Sequence, residues 1–247
     1  MSNSIQEMLG SFRLTGMAEN YHEFLRQATE QCWDYSRFLE ALLEAEENKR
    51  NVNRQIRLLK QAKLPNKTFD TLTEDFLPLQ IRRQLSQLRS GQFIDHQQNI
   101  CAFGLPGRGK THLLCALAHE YIQQGRSVLF APAYKLVQRL LNAKEDHQLD
   151  KELSKLDRFD VIFLDDIGYV KHTPAEMEVL FTFIAERYER RSLMISSNLP
   201  FSKWDQIFTD KMTAMAVVDR LVQHSRILHF NGESIRVKNS KGARMID

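Results

Sequence analysis

The sequence predicts an α/β fold, with a central parallel sheet flanked by helices and preceded by a small all-α region. Three observations point there. Over residues 1–66, apolar side chains recur at helical spacing and no run rich in β-branched residues appears. From residue 67 onward, short apolar runs alternate with amphipathic stretches, the pattern of strands and crossover helices feeding a parallel sheet. One of those apolar runs opens directly into a glycine-rich turn that leads into another helical stretch. Two parts are therefore expected: a helical N-terminal domain over 1–66 and an α/β domain over 67–247.

The N-terminal helices follow in order. A first should end near Gly10, a second should cover Met17–Thr29, and a third should start after Asp34, a residue suited to capping, and run to about Ala62. In the third, Phe38, Leu42, Ala45, Lys49, Val52, Ile56 and Leu59 step by four and three, a narrow seam of the kind that docks on another helix or a partner. Glu40, Glu44, Glu46 and Glu47 make its first half acidic, whereas Lys49 to Lys63 holds no acid. Arg50, Arg54 and Arg57 fall within a sector of about 60°, nearly opposite Val52, Ile56 and Leu59. A solvated charged face and a phosphate-contacting stripe both fit that pattern.

Composition bounds the rest. With 247 residues, 43% hydrophobic and 26% charged, the chain can bury a proper core and is too apolar for disorder. Its 34 basic and 31 acidic residues leave a net charge of +3, which argues neither for nor against nucleic acid. No run approaches the roughly eighteen apolar residues of a membrane span, and the first ten residues lack the basic and apolar regions of a signal peptide. A cytoplasmic protein without membrane contact is expected. Cys32, Cys101 and Cys115 are an odd number without metal-ligand spacing, so reduced thiols are expected.

Leu64–Asp70 carries a Pro–Asn turn signal and closes the helical region. Strand candidates then follow at Asn99–Phe103, Ser127–Phe130, Val161–Leu164, Leu193–Ser196 and Ile227–Phe230. The first runs into Gly104, Leu105, Pro106, Gly107, Arg108, Gly109, Lys110 and Thr111, a full G-x-x-x-x-G-K-[ST] match, with His112 next in the helix that ends at Gly125. Glycines at those positions let successive backbone N–H groups close around a phosphate, and the helix N-terminus adds its dipole. Lys110 would bridge the outer phosphates of ATP, and Thr111 would offer its hydroxyl to Mg²⁺.

The third apolar run ends in Asp165 and Asp166, which should emerge at the C-terminal edge of the sheet, where ligands of open α/β folds bind. Asp165 would complete the Mg²⁺ site and Asp166 would act as general base toward the attacking water. The fourth run ends at Asn198, whose amide can reach the γ-phosphate or that water. Arg220, Arg226 and Arg236 are candidates for an arginine aimed at a neighbouring subunit's phosphate, and spacing leaves that choice open.

With these pieces in place, the chain resembles the AAA+ ATPases of the initiator and helicase-loader clade, most closely the IstB-type transposition helpers of insertion sequences. The matching stretches are SFRLTGMAENYHEFL, FLEALLEAEENKR, LPNKTFDTLTEDF, FGLPGRGKTHLL, FLDDIGY, SSNLPFSKW, AVVDRLVQHS and GESIRV, which cover nearly the whole chain. The resemblance implies a P-loop AAA+ module and makes Asn198 the sensor-1 residue, Arg220 the arginine finger and Arg236 a sensor-2-like arginine that touches nucleotide. It also makes Ala133–Asp157 a helical insertion lining DNA, with Lys135, Arg139 and Lys144 as its basic candidates beside Arg50, Arg54 and Arg57. Glu145, Asp146, Asp150 and Glu152 follow closely, so a solvated amphipathic pair fits the insertion too.

Two departures from the family pattern carry consequences. Asp166 stands where many AAA+ proteins have Glu, which retracts the carboxylate by roughly 1.5 Å and implies slow hydrolysis. The sequence ends soon after Arg236, so no C-terminal lid domain is expected. The resemblance thus implies an ATP-dependent helper that oligomerises as a ring or spiral on duplex DNA, recruits a cognate transposase through its helical domain and disassembles on hydrolysis. A DnaC-like replicative helicase loader shares the core and differs in partner and DNA form. A small-molecule P-loop kinase would leave the helical domain unexplained.

Overall fold

A computed structural model describes residues 2–168, 173–206 and 211–231. Its contacts divide the chain into two compact units, Met1–Arg57 and Leu58–Asp247, with the division falling inside the third helix.

The first unit holds α1 (Ser2–Ser11), α2 (Thr15–Glu30) and most of α3 (Tyr35–Ala62). The turns between them pass through left-handed residues, Arg13 at φ 59° and Cys32 at φ 52°. Asp34 caps α3 as expected: its Oδ1 accepts the Arg37 N–H at 2.7 Å. Met17, Tyr21 and Leu42 form a small core with Phe24 and Phe38 packed against it. Where α2 starts against α3, the backbones nearly touch. A Cβ on Gly16 would lie 2.5 Å from the Ala45 carbonyl oxygen, so only glycine fits.

Glu46 makes that crossing specific. Its buried carboxylate accepts the Gly16 N–H at 2.7 Å and the Met17 N–H at 3.3 Å, while the Arg50 Nε–H donates to its other oxygen at 2.7 Å. A carboxylate at the N-terminus of α2 satisfies two donors that the helix leaves unpaired and favours the dipole. Burial pushes the Glu46 carboxyl up, but Arg50 and the two N–H groups outweigh it and hold the group below its ordinary value.

The seam on α3 splits in two. Phe38 and Ala45 are half-buried and Leu42 is buried, whereas Val52, Ile56 and Leu59 are 51%, 60% and 46% exposed. The second half of the expected packing face is therefore uncovered. Arg50, Arg54 and Arg57 are exposed as well.

The second unit begins with the last turn of α3, where Leu58 and Ala62 enter the core, and continues through single 3₁₀ turns at Phe69–Thr71 and Glu74–Phe76. There follow α4 (Leu79–Arg89), α5 (Gln92–Asp95), β1 (Asn99–Phe103), α6 (Lys110–Gln123), β2 (Val128–Pro132), α7 (Ala133–Glu145), α8 (Leu149–Leu156), β3 (Val161–Ile167), α9 (Pro174–Arg187), β4 (Ser192–Ser197), a 3₁₀ stretch at Phe201–Gln206, α10 (Lys211–Gln223) and β5 (Ser225–His229). All five expected strands are present, and every neighbouring pair is parallel in the order β2-β3-β4-β1-β5.

Alternation along the strands explains why their sequences are continuously apolar. Ile100, Ala102, Val161, Phe163 and Met194 join one core with α4, α5 and α6. Cys101, Phe103, Ile162, Leu164, Leu193 and Ile195 join another with residues of α7, α8, α9 and α10. The sheet is thus covered by helices on both faces. Cys101 and Cys115 are buried free thiols, as expected, and Cys32 is exposed.

Candidate nucleotide site

Strand order places three strand ends side by side. β4 lies between β3 and β1, so the turns leaving all three meet at the C-terminal edge of the sheet. The Gly104 N–H donates to the Ser197 carbonyl at 3.2 Å, which fastens the start of the glycine-rich turn to the end of β4.

In that turn Gly107 and Gly109 adopt φ 79° and 88°, and Gly109 caps α6. Gly104 is required for a different reason: a Cβ there would lie 2.5 Å from the Phe230 carbonyl oxygen. Arg108 also reaches that carbonyl, at 3.0 Å. Leu105 and Pro106 are exposed at the turn's crest. Lys110 is only 5% exposed, and its ammonium donates to the carbonyls of Gly104 at 2.6 Å and Leu105 at 3.1 Å. The cation is thereby held inside the curve of its own loop.

Across the site, β3 carries a bulge. Leu164 pairs with Ile195 and Ile167 with Ser197, leaving Asp165 and Asp166 opposite the single residue Ser196. Asp166 takes φ 59°, a conformation aspartate tolerates, and its side chain is exposed. Asp165 Oδ1 accepts hydrogen bonds from Thr111 Oγ1 at 2.8 Å and Ser196 Oγ at 2.6 Å. Burial pushes the Asp165 carboxyl above its ordinary value, against the Ser196 and Thr111 hydrogen bonds and the Lys67 ammonium.

Lys67 was not singled out from sequence. The segment Leu64–Asp70, read there as a turn and as the start of the family-matching stretch LPNKTFDTLTEDF, lies along α6 with Thr71. His119 Nε2 meets the Pro65 carbonyl at 3.1 Å, and His112 Nε2 meets the Thr68 carbonyl at 3.2 Å and Thr71 Oγ1 at 2.9 Å. The Thr71 hydroxyl already donates to Thr68, so His112 Nε2 carries the proton. Burial lowers the His112 pKa and the Lys67 ammonium adds to the effect, against the Thr68 carbonyl, whose hydrogen bond favours the charged form. Thus His112 faces the entry segment.

Asn198 directly follows Ser197 at the same edge and is half-buried. Arg220 is elsewhere. Its guanidinium lies 5.1 Å from the centre of the Phe181 ring on α9 and donates to the Ala216 carbonyl at 3.1 Å. Arg226 pairs in register with Ile100 near the start of β1, toward the opposite edge of the sheet. Arg236 lies outside the described residues. In the insertion, Arg139 pairs with the buried Glu152, Lys144 with Glu178 at 2.6 Å, and Lys135 is exposed with its ammonium 5.9 Å from the Tyr134 ring centre. Arg139 and Lys144 thus hold helices together in this structure, while Lys135 faces outward.

The family model of the IstB-like ATP binding protein matches residues 7–243. The chain belongs to the IstB-like ATP-binding family. An insertion-sequence ATP-binding protein of Sinorhizobium fredii is 39% identical over 96% of this chain and 80% of its own length. That of the insertion sequence IS21 from Pseudomonas aeruginosa is 32% identical over 99% and 92%. Among solved structures, DnaI superposes with a TM-score of 0.57 at 18% identity, covering 67% of this chain and 92% of that one. The DnaC helicase loader gives 0.54 at 22%, covering 67% and 97%. At such identities these likenesses speak for the AAA+ fold alone. Membership in the IstB-like family supports ATP binding by this chain.

The oxygen donors also suit Mg²⁺. Thr111 and Asp165 offer hard hydroxyl and carboxylate oxygens beside the glycine-rich turn, and Asp165 Oδ2 takes no hydrogen bond among the described residues. Among those residues, no helix is long and apolar enough to cross a membrane.

Proposed function

We propose that this IstB-like protein is an ATP-dependent helper of insertion-sequence transposition, which assembles on duplex DNA, recruits its cognate transposase and disassembles on hydrolysis. The observation that carries this reading is a joint one. A glycine-rich turn with its Lys110, Thr111 and Asp165 gathered at one sheet edge stands in a chain that also bears a helical unit with an exposed basic stripe and uncovered apolar residues, and the relatives it matches over nearly its whole length are insertion-sequence proteins.

At the site, Lys110 would exchange its loop carbonyls for the β- and γ-phosphate oxygens, which are far stronger acceptors for a cation. Thr111 and Asp165 would hold Mg²⁺, which when bound neutralises phosphate charge. Asp166 would accept the proton as water attacks the γ-phosphorus and the bond to the bridging oxygen breaks, giving ADP and phosphate. Asn198 would orient that water. The short Asp166 side chain supports slow turnover, suited to a timed release.

Arg220 would act on the nucleotide of the adjoining subunit, which couples ATP to oligomerisation into a ring or spiral. Its contacts among the described residues, with Phe181 and the Ala216 carbonyl rather than with the glycine-rich turn, support that role. Within residues 1–66, Arg50, Arg54 and Arg57 would contact the DNA backbone, giving sequence-tolerant and salt-sensitive binding, with Lys135 as the outward-facing candidate of the insertion. The exposed Val52, Ile56 and Leu59 would meet the transposase.

Light scattering of the protein with duplex DNA and ATP tests the coupling. The parent should form large assemblies that decay as ATP is consumed, and Lys110→Ala should not. Equal assembly by both would contradict it.

A further inference from the structure

Resting on the ATPase reading above, we infer that Ser196 is a positioning residue of the reaction, whose hydroxyl fills the β3 bulge and sets how the carboxylates of Asp165 and Asp166 leave the sheet. Ser196 is fully buried in β4 and stands alone opposite two residues of β3. Its single hydroxyl proton goes to Asp165 Oδ1 at 2.6 Å, and its oxygen accepts the Asp166 N–H at 2.8 Å.

That N–H belongs to the extra residue of the bulge, which the strand ladder leaves unpaired. The serine therefore does two things at once. It replaces a missing ladder bond, which stabilises Asp166 at φ 59°, and it fixes the rotation of the Asp165 carboxylate. Thr111 donates to the same Oδ1, so both hydroxyls grip one oxygen and leave Oδ2 for the site.

The neighbouring Ser197 cannot stand in. It is buried too, but its hydroxyl is engaged by the Ile167 carbonyl at 2.7 Å and the Leu199 N–H at 3.1 Å, where it shapes the turn that carries Asn198. A buried strand spends two serines here because each meets polar backbone that the bulge and the turn leave unpaired. Residues that orient ligating carboxylates in this way are worth about 10–100-fold in affinity or rate.

The test compares Ser196→Ala and Ser196→Thr with the parent. A fluorescent ADP analogue is titrated with Mg²⁺ and with EDTA, and kcat and KM for ATP are measured. Ser196→Ala should keep parental affinity in EDTA, lose most of the gain that Mg²⁺ confers, raise KM for ATP in step with that loss, and drop kcat about tenfold or more. Ser196→Thr, which retains the hydroxyl, should recover all three. If the extra methyl of Thr lowers the melting temperature, hydrogen exchange at the Asp166 amide in Ser196→Ala decides instead, and faster exchange confined to the bulge is expected. Parental Mg²⁺ dependence and kcat in Ser196→Ala would overturn the role of Ser196, as would an equal loss of affinity in EDTA, which marks a structural effect alone. A parent that neither binds nucleotide nor hydrolyses ATP would overturn the ATPase reading and this inference with it.

Discussion

The Thr111 hydroxyl donates to Asp165 Oδ1 across 2.8 Å, joining the first turn of the P-loop helix α6 to the end of β3, 54 residues away in sequence. That bond defines the centre of the site. Lys110 precedes Thr111 and is held by carbonyls of its own loop, whose acceptance of a cation is weaker than that of phosphate. Replacing Lys110 with Ala should weaken ATP binding between about tenfold and a hundredfold, the worth of a charge-assisted hydrogen bond. Titration with a fluorescent ATP analogue measures this.

Arg220 lies against the Phe181 ring and donates to the Ala216 carbonyl, and among the described residues it makes no contact with the glycine-rich turn. Arg220→Ala should therefore leave the ATP affinity of isolated subunits within about twofold while lowering assembly-dependent kcat by about a thousandfold, as loss of a finger in trans does. Nucleotide titration at low protein concentration and turnover at high concentration separate the two effects.

The two basic regions should respond differently. Arg54→Ala and Arg57→Ala on α3 should each reduce the slope of log affinity for duplex DNA against log salt by about 1, and Arg57→Ala should leave the melting temperature near parental. Arg139→Ala should lower the melting temperature, because Glu152 is buried and among the described residues would keep Lys155 alone, at 2.9 Å, as its ion-pair partner. Fluorescence anisotropy across salt, paired with thermal melts, distinguishes contact from support.

At the α2–α3 crossing, Gly16→Ala should cost about 1–3 kcal/mol, since its Cβ would meet the Ala45 carbonyl oxygen at 2.5 Å. Glu46→Gln keeps the shape and loses the charge, and should cost about 1.5–3 kcal/mol. The pH dependence follows from the direction of the shift. Glu46 titrates lower when folded than when unfolded, so its contribution is complete above its ordinary value of 4.5 and is lost as pH falls through the folded value. Faster exchange of the Gly16 and Met17 amides below pH 4.5, absent as a pH effect in Glu46→Gln, is the expected signature.

The strands were legible because each is apolar on both faces, as in Val161–Leu164 and Leu193–Ile195, and the glycine-rich turn because φ near 80° at Gly107 and Gly109 demands glycine. The bulge was not. Asp165 and Asp166 read as the end of a strand, and nothing local announces that Ser196, 31 residues later, completes the pair. Lys67 was hidden for the same reason, since a turn signal says where the chain bends and not what it lies against. The seam on α3 was legible as a periodicity, yet periodicity cannot tell a covered face from one left open, as Val52 and Ile56 are.

Electron microscopy tests the central claim most directly, with protein mixed with duplex or single-stranded DNA and with or without a non-hydrolysable ATP analogue. The expected result is ordered rings or spirals on duplex DNA only when the analogue is present, and none with Lys110→Ala. Equal assembly without nucleotide, or ordered assembly on single strands and none on duplex, would contradict the account.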